Sequence, residues 1–272
     1  LELVGRMLKA KVVLPEGVVV RTEQGVPQGG PLSPLLSNIV LDELDEELHR
    51  RGHRFVRYAD DCNIYVRSEK AGQRVMESVV EFIQRRLRLK VNAAKSAVAR
   101  PEERHFLGFC LRREPLAGEV QVLLSKRSQE RIAAKIRELT PRGWGNTLKA
   151  CIEALNVYLV GWIGFFCIVS QAVERTLEQL DGHIRRRLRA IQMKHWKTKR
   201  TIAQRLTQLG VGRKLAWKTT YSGRKSLWAQ SQTLASHRGL RNEYFTARGL
   251  VSLVDQWRQR TKPIAVLVRA PK

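Results

Sequence analysis

Two adjacent aspartates between two short apolar runs place the strongest constraint on the fold of this chain. Phe55-Val56 precedes them and Ile64-Tyr65-Val66 follows, and both runs contain the β-branched and aromatic residues typical of strands. Asp60 and Asp61 are therefore predicted at or near the tip of an antiparallel hairpin. Neighbouring carboxylates repel each other, and they are tolerated when both are solvated or when they share a cation. Asp is also a common turn residue, so a plain turn is the alternative at this point.

The charge balance predicts a polyanionic partner. The chain carries 50 Lys and Arg residues against 25 Asp and Glu residues, a net charge of +25. With 43% apolar residues it can still form a core, unlike a basic disordered tail. Because the basic residues are spread through every segment, nucleic acid is the preferred partner. A single basic tail would instead indicate a targeting signal or a membrane-binding patch.

The cysteines and the N-terminal segment predict a cytoplasmic protein. The four cysteines lie far apart and form no C-x-x-C pair, which argues against a zinc site or a disulfide framework and fits a reducing compartment. No signal peptide is visible in the sequence.

One apolar segment has nearly the length of a membrane span. It runs from Cys151 to Val169 and contains Glu153 and Asn156 within an otherwise basic, polar chain. A buried core helix is the preferred interpretation over a span, and no membrane partner is predicted.

The order of predicted elements gives an α+β fold class. A Gly- and Pro-rich segment at 24–34 precedes a helix in which Ser33 and Pro34 suit the N-cap and first turn. That helix is predicted to bury Leu36, Val40, Leu44 and Leu48, which are spaced by four. After the hairpin come a second amphipathic helix at 71–89, a loop presenting Lys95, an apolar strand at 105–109 and a further hairpin arm at 116–124.

From Ser125 onward the pattern predicts helices alone. They cover 126–139, 147–169 and 171–193, with shorter helices in 205–272. One side of the third helix is basic, and basic and aromatic residues continue to alternate just beyond it. A basic helix face is usually solvated, but this mixture also suits phosphate contact and base stacking. The candidate RNA-binding residues are Arg185, Arg186, Arg189, Lys194, Trp196 and Lys197.

Four segments in this order resemble a known family. They are Gln24–Asn38 (QGVPQGGPLSPLLSN), Arg57–Asp61 (RYADD), Asn92–Ser96 (NAAKS) and Phe106–Phe109 (FLGF). Together they resemble the later half of a reverse-transcriptase palm, in particular the group II intron version. The helical part that follows resembles the maturase-specific domain of those proteins, which forms the polymerase thumb. The fold implied is a partial palm, an antiparallel sheet plus helices, followed by an all-α thumb.

The resemblance implies roles for individual residues. Asp60 and Asp61 would be the catalytic carboxylates that hold Mg²⁺, with Asp60 the main ligand. Gln28 and Gly29 would lie against the incoming nucleotide and template, with Lys95 supporting the site from one side. Leu107 and Gly108 would belong to the primer grip. The alternative for Lys95 is an ordinary surface lysine, and the alternative for Leu107 and Gly108 is an ordinary core strand. The implied partners are group II intron RNA, an RNA template with a DNA primer, and dNTPs.

The resemblance also implies domain limits and a gap. The predicted domains are 1–124, a partial palm, 125–204, the maturase-specific thumb, and 205–272, a small basic region. A two-metal polymerase site needs a further carboxylate from an earlier palm strand, which the family carries well before the Pro-Gln-Gly segment. We therefore expect a missing N-terminal half and no polymerisation by this chain alone. A non-catalytic, intron-RNA-binding maturase remnant is the alternative function.

Overall fold

The computed structural model describes residues 2–9, 12–13, 19–20, 32–114, 118–141, 143, 145, 147–222 and 226–261. The chain divides into two compact units, Leu1–Phe106 and Leu107–Lys272, which are taken in turn below.

The first unit combines helices with short antiparallel ladders. Two helices, α2 and α3, flank the hairpin of strands β3 and β4, and Leu44, Leu48 and Val79 are the buried centre of their core. Phe55 and Ile64 of the hairpin pack against this centre. In chain order the elements are α1 (Glu2–Leu8), β1 (Val12–Val13), β2 (Val19–Val20), α2 (Ser33–Arg50), β3 (Arg54–Tyr58), β4 (Asp61–Tyr65) and α3 (Glu69–Arg85).

The buried face of α2 differs in part from the predicted one. Leu44 and Leu48 are buried as predicted, but Val40 is 41% exposed and Leu41 packs against the core instead. Residues spaced by four drift by about 40° per step around a helix with 3.6 residues per turn. A strict spacing of four therefore leaves the buried face after two steps. The helix begins at Ser33 itself, with Pro34 in its first turn, so Ser33 is not the N-cap.

Within the described residues the second unit consists of one hairpin, nine α-helices and one short 3-10 helix, Gln171–Val173. Strand β5 pairs antiparallel with β6 from Phe109↔Leu124 to Arg113↔Val120. In chain order the elements are β5 (Phe109–Arg113), β6 (Val120–Leu124), α4 (Lys126–Leu139), α5 (Leu148–Phe166), α6 (Glu174–His195), α7 (Lys199–Gln208), α8 (Arg213–Tyr221), α9 (Leu227–Gln230), α10 (Leu234–Gly239), α11 (Asn242–Thr246) and α12 (Leu253–Thr261).

Hydroxyl side chains set where many of these helices start. Ser125 accepts a hydrogen bond from the Ser128 amide at the start of α4, and Thr147 accepts one from the Ala150 amide at the start of α5. Thr198 caps α7 in the same way. Each hydroxyl satisfies one of the amides that a first helical turn leaves without a partner. This explains why the predicted helix starts near 126 and 147 agree with the structure.

Helices α5 and α6 form the centre of the second unit. The apolar residues that repeat at spacings of three and four along α6 are buried, among them Leu177, Ile184 and Leu188, each 0–1% exposed. Helix α5 is long and apolar enough to cross a membrane by length and composition, but one of its faces, including Leu155 and Leu159, is buried in this core. The prediction that it serves as a core helix is therefore confirmed for that face.

The C-terminal helices complete the same core. Leu253, Val254 and Trp257 of α12 are buried in the cluster formed by α5 and α6. The Trp257 indole donates to the Val169 carbonyl oxygen (3.3 Å), and Asp181 of α6 accepts from the Leu253 amide (2.9 Å) at the start of α12. Residues 205–261 thus contribute to the packing of the preceding helices.

The structure agrees with the predicted fold class at a coarse level. The chain has a mixed α/β part followed by helices, and the hairpin at Asp60-Asp61 and the end of α4 at Leu139 lie where the sequence placed them. The palm and thumb arrangement and the domain limits 1–124, 125–204 and 205–272 remain predictions.

Candidate metal and nucleic-acid sites

The two aspartates lie at the tip of a tight hairpin. Tyr58 pairs with Asp61 across the ladder, so the connecting loop consists of Ala59 and Asp60 alone. Ala59 has φ +52°, a left-handed conformation that non-glycine residues rarely adopt. Two-residue hairpin loops need positive φ because only such turns match the twist of the flanking strands. The backbone at this tip is therefore held in a specific and costly conformation.

The hairpin has one face toward the core and one toward solvent. Arg57 and Cys62 lie on the half-buried face that packs on α2 and α3, whereas Tyr58 (62% exposed) and Asp61 lie on the open face. Asp60, in the loop, is exposed as well. Because Tyr58 and Asp61 are directly opposite each other across the ladder, their side chains project from the same, open face of the hairpin.

The carboxylates of Asp60 and Asp61 have the properties of Mg²⁺ ligands. Among the described residues, neither carboxylate forms an ion pair or hydrogen bond with the protein. The neighbouring Cys62 thiol lies on the half-buried face instead, where burial raises its pKa to about 11. Mg²⁺ prefers carboxylate oxygens and keeps several waters. Two solvated, unpaired carboxylates therefore fit this ion.

Several acidic residues on α2, by contrast, form ion pairs with arginines. Asp45 pairs with Arg57 (2.5 Å), Glu47 with Arg50 and Arg51, and Glu43 with Arg86. Within the described ranges no group of three or more His, Cys, Asp or Glu side chains is arranged to hold a metal.

The remaining predicted palm residues have separate positions. Gln28 and Gly29 lie outside the described residues. Lys95 ends a turn in which its amide donates to the Asn92 carbonyl (3.1 Å), and Arg104 donates to the Lys95 carbonyl (2.6 Å). The Lys95 side chain is exposed. The structure thus fixes the Lys95 backbone and leaves its ammonium available.

Leu107 and Gly108 form a turn rather than the predicted strand. Their φ values are +52° and +87°, and strand β5 begins only at Phe109. The Gly108 carbonyl accepts from the Ser125 amide (3.0 Å) and the Ser128 hydroxyl (2.8 Å). A Cβ atom at position 108 would lie 2.7 Å from Ser128 Oγ and 3.1 Å from the Phe166 ring. Glycine is therefore required here by both conformation and space.

Much of the predicted basic face of α6 has a structural role. Arg189 is 5% exposed and its Nε donates to the Leu240 carbonyl (2.9 Å) at the end of α10. The prediction that Arg189 contacts RNA does not fit this burial, because a buried guanidinium cannot reach a phosphate in solvent. Arg187 similarly donates to the Thr140 carbonyl (2.7 Å) at the end of α4. Both arginines satisfy carbonyls that a helix end leaves without a partner.

The other predicted RNA-binding residues divide between packing and solvent. Arg186 stacks on the Trp228 ring, with its guanidinium carbon 3.8 Å from the ring centroid, and Trp196 packs against the core. Arg185 is half-buried, while Lys194 and Lys197 are exposed. Lys194 in the last turn of α6 and Lys197 just after it are thus the most exposed cations of this set.

One aromatic pair was not predicted as a site. Trp217 and Tyr221 of α8 stack with ring centroids 5.7 Å apart and planes within 3° of parallel. Tyr221 is 50% exposed, and Lys199 Nζ lies 5.7 Å from its ring centroid. The spacing of four between Trp217 and Tyr221, with Lys214 and Lys218 beside them, is the sequence signal that could have predicted a shared helix face.

Comparisons with known proteins match both parts of the chain. Residues 7–111 match the reverse transcriptase (RNA-dependent DNA polymerase) family, and residues 129–210 match the maturase-specific domain of group II introns. Protein YkfC of Escherichia coli strain K12 is 29% identical over 164 residues, which cover 47% of this chain and 43% of YkfC. The retron Ec86 reverse transcriptase of Escherichia coli is 25% identical over 158 residues, which cover 56% of this chain and 44% of that protein. The chain thus spans less than half the length of both relatives.

Proposed function

Because this chain carries a reverse transcriptase domain followed by a group II intron maturase-specific domain, we propose that it serves RNA-directed DNA synthesis and splicing of a group II intron. The resemblance found in its four sequence motifs is confirmed at the level of these two domains. The proposed substrates are an RNA template, a DNA primer and dNTPs, and the proposed partner is intron RNA. We propose the cytoplasm as the compartment, in which the four cysteines would stay as free thiols.

The observation that carries the enzymatic proposal is that the two carboxylates at the hairpin tip form no ion pair or hydrogen bond with the described residues. When bound, Mg²⁺ would stabilise the charge that develops on the attacking and leaving oxygens of an in-line displacement. Asp60 and Asp61 would hold the ion from the open face of the hairpin. Tyr58, exposed beside Asp61, would contact the nucleotide end at the same face. Lys95 would add a positive charge toward the phosphates.

Primer extension tests this role directly. The 272-residue chain is incubated with an RNA template, an annealed DNA primer, dNTPs and Mg²⁺, alone and as part of a polypeptide that supplies the preceding palm segment. We expect no extension by the chain alone, and extension by the completed polypeptide that is lost in Asp60→Asn and Asp61→Asn. Glu77→Gln is the matched control, because Glu77 is an exposed acid on a different element, α3. Extension that survives both hairpin substitutions would refute the assignment.

A second candidate function, RNA binding without catalysis, is favoured by the stack of the exposed Tyr221 on the half-buried Trp217. Aromatic rings next to lysines suit base stacking combined with phosphate contact, and stacking contributes about 1–3 kcal/mol per base. The pair does not belong to the residues packed against the core of the second unit. A stabilising role in that core therefore does not account for it.

RNA binding is measured over a series of salt concentrations. We expect the logarithm of the binding constant to fall linearly with the logarithm of salt concentration, because lysine and arginine contacts release counterions from phosphates. Tyr221→Ala should weaken binding with little change in this slope, whereas Lys199→Ala should reduce the slope. Lys149→Ala removes an exposed cation from α5 and is the control for net charge. Equal effects of all three substitutions would show that α8 provides no specific surface.

The two functions are separated by the aspartates. If the chain acts as a non-catalytic maturase, Asp60→Asn and Asp61→Asn should leave RNA binding and its effect on splicing unchanged. Loss of DNA synthesis in the completed polypeptide, with RNA binding retained, would support catalysis.

A further inference from the structure

Arg57 has an unusually complete set of partners for a residue next to the hairpin tip. Its Nε lies 2.8 and 3.0 Å from the two carboxylate oxygens of Asp45, and its Nη2 lies 2.5 Å from Asp45 Oδ2. Its Nη1 donates to Asn38 Oδ1 (2.9 Å) and to the Ala59 carbonyl oxygen (2.9 Å). The side chain is 12% exposed. One guanidinium therefore connects the hairpin loop to helix α2.

The bond to the Ala59 carbonyl acts on the backbone that carries Asp60. The carbonyl of Ala59 and the amide of Asp60 belong to one planar peptide group, so fixing the carbonyl direction also fixes the start of Asp60. Ala59 is itself in the left-handed region at φ +52°, where an alanine is strained. Strained residues of this kind persist only when surrounding contacts determine them.

The anchor at the other end of this connection is rigid. Asp45 lies on α2 next to Leu44, and Leu44 and Leu48 are 3% and 0% exposed in the core of the first unit. The Asp45 hydrogen bond raises the pKa of Arg57 above its ordinary value, so the guanidinium remains charged. The loop is therefore held against a packed helix rather than against a mobile side chain.

We propose that Arg57 is a positioning residue that orients the Ala59–Asp60 peptide, and with it the cation-binding carboxylates, by connecting the loop to Asp45 and Asn38. The inference rests on the proposed function, because it assumes that Asp60 and Asp61 bind a divalent cation. Arg57 contacts neither the cation nor a substrate in this role. The geometry requires arginine, because a lysine has a single ammonium and cannot address a carboxylate, an amide oxygen and a backbone carbonyl with one planar fork.

The proposal and simple electrostatics predict opposite signs. Arg57 brings a positive charge close to the hairpin tip, so its removal should strengthen cation binding if charge alone mattered. If Arg57 orients the loop, its removal should weaken cation binding. Arg57→Lys keeps the charge and removes the fork, and Arg57→Gln removes both.

The first measurement uses Tb³⁺ as the probe in place of Mg²⁺. Energy transfer from Tyr58, which pairs with Asp61 across the ladder, should sensitise Tb³⁺ luminescence. The wild-type chain should give this signal, and the signal should disappear in the double variant Asp60→Asn/Asp61→Asn and in Tyr58→Phe. We expect the apparent dissociation constant to rise about tenfold or more in Arg57→Lys and Arg57→Gln, the range given by one lost hydrogen bond to a charged group.

The second measurement does not involve a metal. Amide hydrogen exchange of the peptide covering 54–65 should accelerate in Arg57→Gln, while exchange in α3 stays unchanged. Arg51→Gln is the matched control: Arg51 also pairs with a carboxylate of α2, Glu47, but has no bond to the loop. It should leave both the exchange of 54–65 and Tb³⁺ binding near the wild-type values. Asp45→Asn is a second variant with little change in shape, and it should reproduce the effect of Arg57→Gln in weaker form.

The outcomes separate the two claims. Faster exchange at 54–65 together with weaker Tb³⁺ binding in both Arg57 variants supports the proposal. Unchanged exchange, or Tb³⁺ binding that is unchanged or tighter in Arg57→Gln, overturns it while the carboxylate site stands. A wild-type signal that is absent, or that survives Asp60→Asn/Asp61→Asn, overturns the proposed cation site and the role of Arg57 with it.

Discussion

Replacing Gly108 with alanine should destabilise the second unit by an amount that can be divided into two parts. At φ +87° an alanine is disfavoured by about 1–2 kcal/mol relative to ordinary conformations. The new Cβ would also lie 2.7 Å from Ser128 Oγ and 3.1 Å from the Phe166 ring, and overpacking of this kind costs about 1–3 kcal/mol. The sum is about 2–5 kcal/mol.

Thermal unfolding followed by circular dichroism measures this cost. At about 2–4 °C per kcal/mol, the transition of the second unit should fall by roughly 4–20 °C. Gly118→Ala is the matched control, because Gly118 also has positive φ (+68°) but its nearest neighbour, Arg113 Nη2, lies 3.9 Å from the added Cβ. It should therefore show the conformational cost alone, about 1–2 kcal/mol.

A double-mutant cycle identifies the steric part. Ser128→Ala removes the oxygen closest to the added Cβ, so Gly108→Ala should cost less in its presence than in the wild type. The reasoning fails if Gly108→Ala costs no more than Gly118→Ala, or if Ser128→Ala leaves its cost unchanged. Either result would mean that the turn at 107–108 has room for a side chain.

Two further substitutions address the contacts that join distant segments of the second unit. Asp181→Ala should destabilise this unit by about 2–4 kcal/mol, because the Asp181 carboxylate accepts hydrogen bonds from the Ser252 hydroxyl and from the first amides of α12. Asp181→Asn should cost less, and chemical denaturation of both variants measures the difference. Asn156→Ala should cost about 1–2 kcal/mol by the same assay, because its amide donates to the Gly249 carbonyl (2.6 Å) and accepts from the Val251 amide (3.1 Å); a cost near zero would mean that solvent replaces both bonds.

The parts of the fold that local patterns determine were predictable from the sequence. The hairpin at Asp60-Asp61 follows from two apolar runs and a short polar link, and α4 lies at Lys126–Leu139, the range predicted from the sequence. The inward residues of α6 repeat at three and four, which matches the helical period and identifies the buried face.

The features that depend on distant segments were not predictable. Arg189 looked like a surface cation because its partner, the Leu240 carbonyl, lies far along the chain at the end of α10. The pairing of Asp45 with Arg57 was hidden for the same reason, since the two residues lie on different elements, α2 and β3. Gly108 was wrongly predicted to lie within a strand. Its turn is determined by the approach of Ser128 and Phe166, which are distant in the sequence, and not by the residues next to it.

The packing of α12 across α5 and α6 has a consequence for how this chain can be shortened. The matched maturase-specific region ends at residue 210, but the core around Leu177 and Val169 is completed by Leu253, Val254 and Trp257. A fragment cut at that limit would expose apolar surface of two central helices and lose the partners of Asp181. The boundary of the matched family therefore marks shared ancestry, and the cooperative folding unit extends past it to the end of α12.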